Sequence, residues 1–329
     1  MSGDGGGTAG EAAAGGARSG TVGLVGRPNA GKSTLMNRLL GEKLAIVSDK
    51  PQTTRHRLVG ILSGERGQMV FHDTPGVHRP LHRMNRQMLA HALDALKDAD
   101  VVCAMVDAAE PFGAGDRYLL ELLARAPGQR FLALNKIDRV KKTDLLPRIR
   151  RYADAGLFAE IVPVSALTGD GCSRLLDLLW SALPEGPPLY DPELLTIHPE
   201  RFLAAERIRE KVLEQTGDEL PFATAVVLDR WEEDEARGLV LLYASILVER
   251  PGQKSILIGK AGQRIKSIGT AARRDLETFL GRRVYLDLQV KLEPGWREDR
   301  GLLAALDRDV DLELDSGPPP AADDDDGPR

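Results

Sequence analysis

The residues best equipped for chemistry fall in four short segments. The first runs Gly26, Arg27, Pro28, Asn29, Ala30, Gly31, Lys32, Ser33, Thr34. A glycine-rich loop that opens a helix wraps backbone N–H groups around phosphates, and Gly26 and Gly31 give the backbone that freedom. Lys32 supplies a positive charge for the outer phosphates, and Ser33 offers a hydroxyl to Mg²⁺. The second segment is Asp73, Thr74, Pro75, Gly76, Val77. Asp73, at a strand end, suits outer-sphere Mg²⁺ binding, and the Gly76 amide can sense a γ-phosphate. The third and fourth are Asn135, Lys136, Ile137, Asp138 and Ser165, Ala166, Leu167. Asn-Lys-x-Asp places a carboxylate where guanine presents its N1–H and 2-amino donors. Adenine lacks that pair, so a buried carboxylate here loses its partners with ATP and discriminates strongly. Lys136 can lie along the purine face, and the Ala166 amide can meet the guanine carbonyl. Four such motifs in this order imply a protein that binds GTP and GDP and hydrolyses GTP.

Between the first two segments lies Lys50-Pro-Gln-Thr-Thr-Arg-His56. A threonine here would reach Mg²⁺ when the γ-phosphate is present, and the loop would relax after hydrolysis. Thr54 is our choice, with Thr53 as the alternative. Ser33, Thr54 and Asp73 are then the metal set, and Lys32, Thr54, Gly76 and Asn29 the catalytic set. Val77 stands where many signalling GTPases put a water-orienting glutamine, so intrinsic turnover should be slow. Asn29 could instead hold K⁺ against the phosphate oxygens. His72 and His78 flank the second segment, but a lone histidine beside a strand is more often packing than a base.

The elements around these segments fit their chemistry. Thr21–Val25, Val101–Val106 and Phe131–Leu134 are apolar runs, as parallel strands buried on both faces require. Leu58–Leu62 and Gln68–His72 read as two strands, with helical stretches from Lys32, over Arg86–Leu96 and over Asp116–Arg125. Strands alternating with helices imply a doubly wound α/β sheet, and each nucleotide motif follows a strand end. Pro184-Glu-Gly-Pro-Pro188 then marks a boundary. Beyond it come a helix from Pro199 to Thr216, strands over Phe222–Asp229 and Leu239–Val248, a basic helix over Gly262–Leu280 and a strand over Arg283–Leu292. We therefore expect a leader over 1–19, a nucleotide domain over 20–184, a linker over 185–196, a second domain over 197–300 and an acidic tail over 301–329.

Charge supports that division. The net charge of −5 hides nine acids against two bases from residue 301 onward, so the first 300 residues carry +2. Residues 250–292 hold ten bases against Asp275, Glu277 and Asp287, a footprint of the kind polyanion binders show. No run of about 18 uncharged apolar residues exists to span a membrane. Residues 1–19 are Gly- and Ala-rich, unlike a secretory or transit peptide, and read as a disordered leader. Cys103, in an apolar run, and Cys172, in a loop context, make no disulfide framework and fit a cytoplasmic protein.

Gly259-Lys-Ala-Gly262 precedes the basic helix in a helix-strand-strand-helix-helix-strand order. Two glycines there let a nucleic-acid backbone come close, with Lys254, Gly259, Lys260, Ala261, Gly262, Arg264 and Lys266 as contacts and Ile265 and Ile268 on the groove side. That is how a K-homology module clamps four nucleotides of single-stranded RNA. Taken together, the chain from about Thr21 to Trp296 resembles the Era family of bacterial GTPases. The resemblance rests on the motifs above, on Gln-Thr-Thr-Arg-His56 and on Glu249-Arg-Pro-Gly-Gln-Lys-Ser-Ile-Leu-Ile-Gly-Lys-Ala-Gly262. It implies a Ras-like P-loop NTPase domain followed by an α+β type II KH domain. It further implies binding of the 3′ end of 16S ribosomal RNA in 30S subunit assembly, some association with the inner membrane face, and a monomer. Two other classes compete. A tRNA-modifying GTPase should bring a further chemical domain, and a membrane-associated cell-cycle switch would need clustered bases but no Gly-x-x-Gly loop.

Overall fold

Side chains of alternating direction sort the apolar runs into two cores, one on each face of a six-stranded sheet. The computed structural model describes residues 16–50, 53–77, 83–217 and 220–311. In chain order the first unit is β1 (Arg18–Gly26), α1 (Lys32–Leu40), β2 (Leu58–Gly64), β3 (Gly67–Asp73), α2 (Arg83–Lys97) and β4 (Val101–Asp107), then α3 (Ala114–Leu123), β5 (Gln129–Asn135), α4 (Lys142–Ala153), β6 (Glu160–Pro163) and α5 (Cys172–Ala182). The sheet order is β2-β3-β1-β4-β5-β6, parallel except for β2, which pairs antiparallel with β3. Val22, Leu24, Cys103, Met105 and Phe131 face α1 and α5, whereas Val25, Val102, Ala104 and Leu132 face α2, α3 and α4. Because β3 and β4 flank β1 on opposite sides, the chain reverses direction across the sheet there, and a crevice opens at the strands' carboxyl ends.

Two local readings change and two elements are added. β1 starts at Arg18, inside the expected leader, because the Arg18 and Ser19 amides bond to the Arg66 and Pro184 carbonyls. Cys172 opens α5 and is buried rather than looped out. β6 is only four residues long and carries Glu160 and Pro163, and α4 contains Pro147, so neither stands out in the sequence.

The second unit comprises α6 (Glu200–Glu214), α7 (Leu220–Ala223), β7 (Thr224–Asp234), β8 (Leu239–Val248), α8 (Pro251–Ile258), α9 (Gln263–Leu280), β9 (Arg283–Leu292) and α10 (Arg300–Asp311). β7 and β8 form a hairpin, while β8 and β9 are parallel, so α8 and α9 make the crossover such pairing needs. α6 and α9 cover one sheet face through Ile208, Val212, Ile268, Ala272 and Leu276. The expected helix-strand-strand-helix-helix-strand order holds with α7 and α10 added; Phe222 and Ala223, read as the start of a strand, belong to α7, and β7 runs on to Asp234, which tightens the hairpin.

The acidic tail needs correction, since its first residues form α10. Leu303 packs with Met84, Met88, Ala225, Leu247 and Trp296, and Leu302 and Leu306 border the cluster. Counting charge across 301–329 hid that apolar stripe. Residues 318–326, read as too polar to fold, lie outside the described residues. Among the described residues no helix is long and apolar enough to cross a membrane.

Candidate functional site

The crevice at the carboxyl ends of β1, β3, β4 and β5 is a cleft of about 660 Å³, within the roughly 300–1,000 Å³ of small-molecule sites. Its floor is the glycine-rich loop. Gly26 sits so close to β4 that a Cβ would lie 2.2 Å from the Met105 carbonyl oxygen. Gly31 has φ 98°, and a Cβ there would strike Asn135 Nδ2 at 2.3 Å. Both positions exclude side chains, so the loop packs directly on β4 and Asn135. Arg27, Pro28, Ala30 and Thr34 line it, and Arg27 is held by Asp116 at 3.0 Å. Lys32 is 6% exposed, with Nζ near the Gly26 and Arg27 carbonyls at 3.5 and 3.3 Å. Burial lowers its pKa, and the Asp73 carboxylate partly opposes that. Burial likewise raises the pKa of Asp73, opposed by Lys32 and by bonds from Ser33 and Thr54. Burial thus disfavours the charged form of both groups, and each partly offsets that for the other.

The fold brings the three expected metal residues together. Ser33 Oγ donates to Asp73 Oδ2 at 2.6 Å and lies 2.9 Å from Thr54 Oγ1, which is itself 3.4 Å from that oxygen. Asp73 Oδ1 is buried and has no hydrogen-bond partner among the described residues. Thr53 also lines the cleft, but its hydroxyl is engaged, donating to the Lys50 carbonyl at 2.6 Å. Two hydroxyls and a carboxylate with one bare oxygen form the hard, all-oxygen donor set that suits Mg²⁺.

Thr74 is buried and donates to the Leu24 carbonyl at 2.7 Å, and Pro75 is buried beside it. Gly76 presses on the first loop, where a Cβ would fall 2.6 Å from Pro28 Cα. Val77 donates its amide to the Gly26 carbonyl at 2.9 Å and is 2% exposed, so its side chain is core. His72 is not a cleft residue. It alternates with Asp73 along β3, so it points to the opposite face, and burial with nearby Arg57 lowers its pKa to about 4. His78 lies outside the described residues.

At the base end, Lys136 adopts φ 62° and turns the chain from β5 into the 3₁₀ turn Ile137–Arg139. Its Nζ pairs with Asp107 Oδ2 at 2.8 Å. Asp138 lines the cleft, and its Oδ1 accepts from Ser165 Oγ at 2.6 Å. Asn135 braces the wall, donating to the Ala30 carbonyl at 2.7 Å and accepting from the Ala166 amide at 2.9 Å. That last bond differs from expectation, since the Ala166 amide already serves Asn135. Leu167, 69% exposed, overhangs the rim and is tied by Arg38 to α1. Asp107, Arg38 and Asp116 went unremarked in the sequence. Only the strand-end position of Asp107 offered a signal.

In the second unit the glycine loop sits between α8 and α9, with Gly259 at φ 71°, Ala261 at φ 50° and Gly262 at φ 74°. Lys260 and Lys266 are exposed and Lys254 is half-buried. Arg264 Nη1 donates to the Ile256 carbonyl at 3.0 Å, closing the loop on itself. Ile268 is fully buried in the core and lines no groove, whereas Ile265 is partly buried at the core's edge. The exposed apolar side chain here is Ile256.

Residues 21–136 match the 50S ribosome-binding GTPase family, and residues 219–297 match the KH domain family. The GTPase Era of Geobacter metallireducens is 48% identical over 289 residues, which cover 88% of this chain and 97% of that protein. The chain belongs to the Era family of GTPases. The GTPase Era of Syntrophus aciditrophicus is 46% identical over 87% of this chain and 94% of its own length. A crystal structure of Era in complex with MgGDPNP and nucleotides 1506–1542 of 16S ribosomal RNA superposes with a TM-score of 0.86 at 37% identity. It covers 88% of this chain and 98% of that one.

In this Era-family chain the loop that carries Thr54 is anchored from the KH side. The Thr53 carbonyl accepts from Arg209 of α6. Arg55, 6% exposed, donates to the Thr224 carbonyl at 2.7 Å and stacks 5.6 Å above Trp296. Lys43 pairs with Glu210 at 2.6 Å. Thr54 is thus pinned between two residues held by the second domain, an arrangement invisible in the local motif.

Proposed function

We propose that this chain binds GTP with Mg²⁺ in the cleft, hydrolyses it slowly, and binds the 3′ end of 16S ribosomal RNA through its KH domain during 30S subunit assembly. The domain limits we take are those read from the sequence, 20–184 and 197–300, extended back to Arg18 by β1 and on to Asp311 by α10. The observation that carries the RNA reading is Gly259-Lys-Ala-Gly262, a loop with no side chain at two of its four positions, opening a basic helix. The Era relative crystallised with 16S ribosomal RNA supports the choice of RNA. The same reading takes the chain as a cytoplasmic monomer that can meet the inner membrane face peripherally. Crosslinking the GTP-bound chain to cellular RNA and mapping the joined nucleotides tests the reading. Enrichment at the 3′ end of 16S ribosomal RNA is expected, and a scattered pattern would refute it.

Within the cleft each residue has a task. The loop amides from Asn29 to Ser33 orient the phosphates, and Lys32 neutralises their charge once they displace its carbonyl partners. Ser33 and Thr54 would hold Mg²⁺, with Asp73 in the shell behind them, and the ion would supply positive charge against the phosphate oxygens. The Gly76 amide reads the γ-phosphate. Replacing Thr54 with alanine should slow single-turnover hydrolysis about 10²-fold, the scale of one lost transition-state contact. Thr53→Ala should change it less than about threefold, because its hydroxyl serves Lys50. Equal losses in a stopped-flow phosphate-release assay would refute the assignment.

Asn29 supports a role for K⁺. It stands at φ 60° with Nδ2 donating to the Asp49 carbonyl at 2.7 Å, which brings its amide oxygen and that loop to one corner of the cleft. An ion held there supplies positive charge where Val77 supplies none. Turnover should be at least about tenfold faster in KCl than in NaCl at equal ionic strength, and Asn29→Ala should abolish the difference. Matching rates in the two salts would end the K⁺ reading.

A further inference from the structure

Between Arg250 and Arg274 the chain holds seven bases and no acid. These residues build α8, the glycine loop and the first three turns of α9. Arg250, Lys260, Arg264, Lys266, Arg273 and Arg274 are exposed. Among the described residues only Arg273 of the seven forms an ion pair, with Glu277 at 3.3 Å. So dense and uncompensated a face repels itself and attracts any polyanion within a Debye length, about 8–10 Å at physiological salt.

The same chain carries a polyanion. From Asp307 onward nine acids stand against Arg308 and Arg329, and Asp323–Asp326 are four consecutive carboxylates. Its root sits where the KH domain meets α2 of the nucleotide domain, since Leu303 packs on Met84 and Met88 as well as on the KH residues. α10 ends at Asp311, and Leu303 is locked beside Trp296 and Leu247. Twelve residues lead from Asp311 to Asp323. Such a segment spans about 40 Å extended and about 20 Å as a coil, against about 25 Å across a domain of this size. Tethering over that range gives an effective concentration of order millimolar.

We propose that residues 312–329 dock on the basic face of α8, the glycine loop and α9, with Asp323–Asp326 against Lys254, Lys260 and Lys266, and that RNA must displace them. The competition rests on the RNA-binding reading; the docking does not. Sequence-indifferent polyanions bind by charge alone and lose to the tether. An RNA that also fits the glycine loop by shape wins. The tail therefore acts as a filter for RNAs that make more than phosphate contacts.

The full chain, treated with a carbodiimide that joins carboxylates to amines at zero length, tests the docking directly. Peptide mass spectrometry should find intramolecular amides from Asp323–Asp326 to Lys254, Lys260 or Lys266, and single-stranded RNA should suppress them. Joining to Lys141 and Lys142 of the nucleotide domain instead, or no joining at all, would overturn the docking. A chain ending at Asp311 should bind single-stranded RNA roughly five- to tenfold tighter in low salt, with the gap closing as salt rises. Tighter binding without the amides would mean long-range repulsion and would also overturn the docking. If neither chain binds RNA, the RNA reading fails while the amide pattern still decides where the tail lies.

Discussion

Asp138→Asn is expected to weaken GTP binding by roughly 10²–10⁴-fold and to create binding of xanthosine triphosphate. Two charge-assisted hydrogen bonds from guanine are lost, each worth about 1.5–3 kcal/mol, and every 1.4 kcal/mol is tenfold in affinity. Xanthine presents an acceptor where guanine has its amino group, so an asparagine amide matches it where a carboxylate repels it. The geometry sharpens the expectation. Ser165 Oγ fixes one Asp138 oxygen at 2.6 Å, and the Thr168 amide in turn donates to that hydroxyl at 3.2 Å. The carboxylate is aimed before the base arrives, so Ser165→Ala should cost a smaller factor, about tenfold, through lost positioning. Fluorescent GTP and XTP analogues titrated into the variants measure both. Equal loss of the two nucleotides by a folded Asp138→Asn protein would remove Asp138 from the base-reading role.

Gly262→Asp is expected to raise the Kd for single-stranded RNA by roughly 30- to 100-fold while leaving GTP turnover unchanged. Gly262 lies at φ 74°, ψ 9°, and a Cβ added there meets nothing within 4 Å. Aspartate tolerates that left-handed backbone, so the substitution adds charge at little cost to folding. A carboxylate near two or three phosphates loses about 1 kcal/mol to each at 4 Å in water, which sets the factor. Gly259 is a poorer test. Its Cβ would fall 2.8 Å from Arg264 Cβ at φ 71°, so any loss there mixes strain with repulsion. Fluorescence anisotropy across a salt series measures the change, and retention of wild-type affinity by Gly262→Asp would refute the loop's role.

The nucleotide cleft was legible because its residues are local. Gly26 to Ser33, Asn135 to Asp138 and Ser165 to Leu167 each build one wall from a few consecutive residues at a strand end, so spacing alone carries the geometry. The helix-strand order of the KH domain was legible for the same reason, since 3.6- and 2-residue periods and the glycines at helix ends are written along the chain. Choosing Thr54 over Thr53 was another matter. Adjacent residues with the same side chain differ only in direction, and that direction depends on Arg209 and Thr224, 156 and 169 residues away. Ile268 could not be told from a groove residue by its spacing. Only the β-sheet packed beneath it makes it core. The apolar stripe of α10 vanished in the charge count of its neighbours and emerged once Trp296 and Met84 offered it a surface. The motifs determine which groups are available for nucleotide and RNA. Long-range packing decides where each one points, because an apolar or hydrogen-bonding side chain takes its direction from partners that only the folded chain brings near.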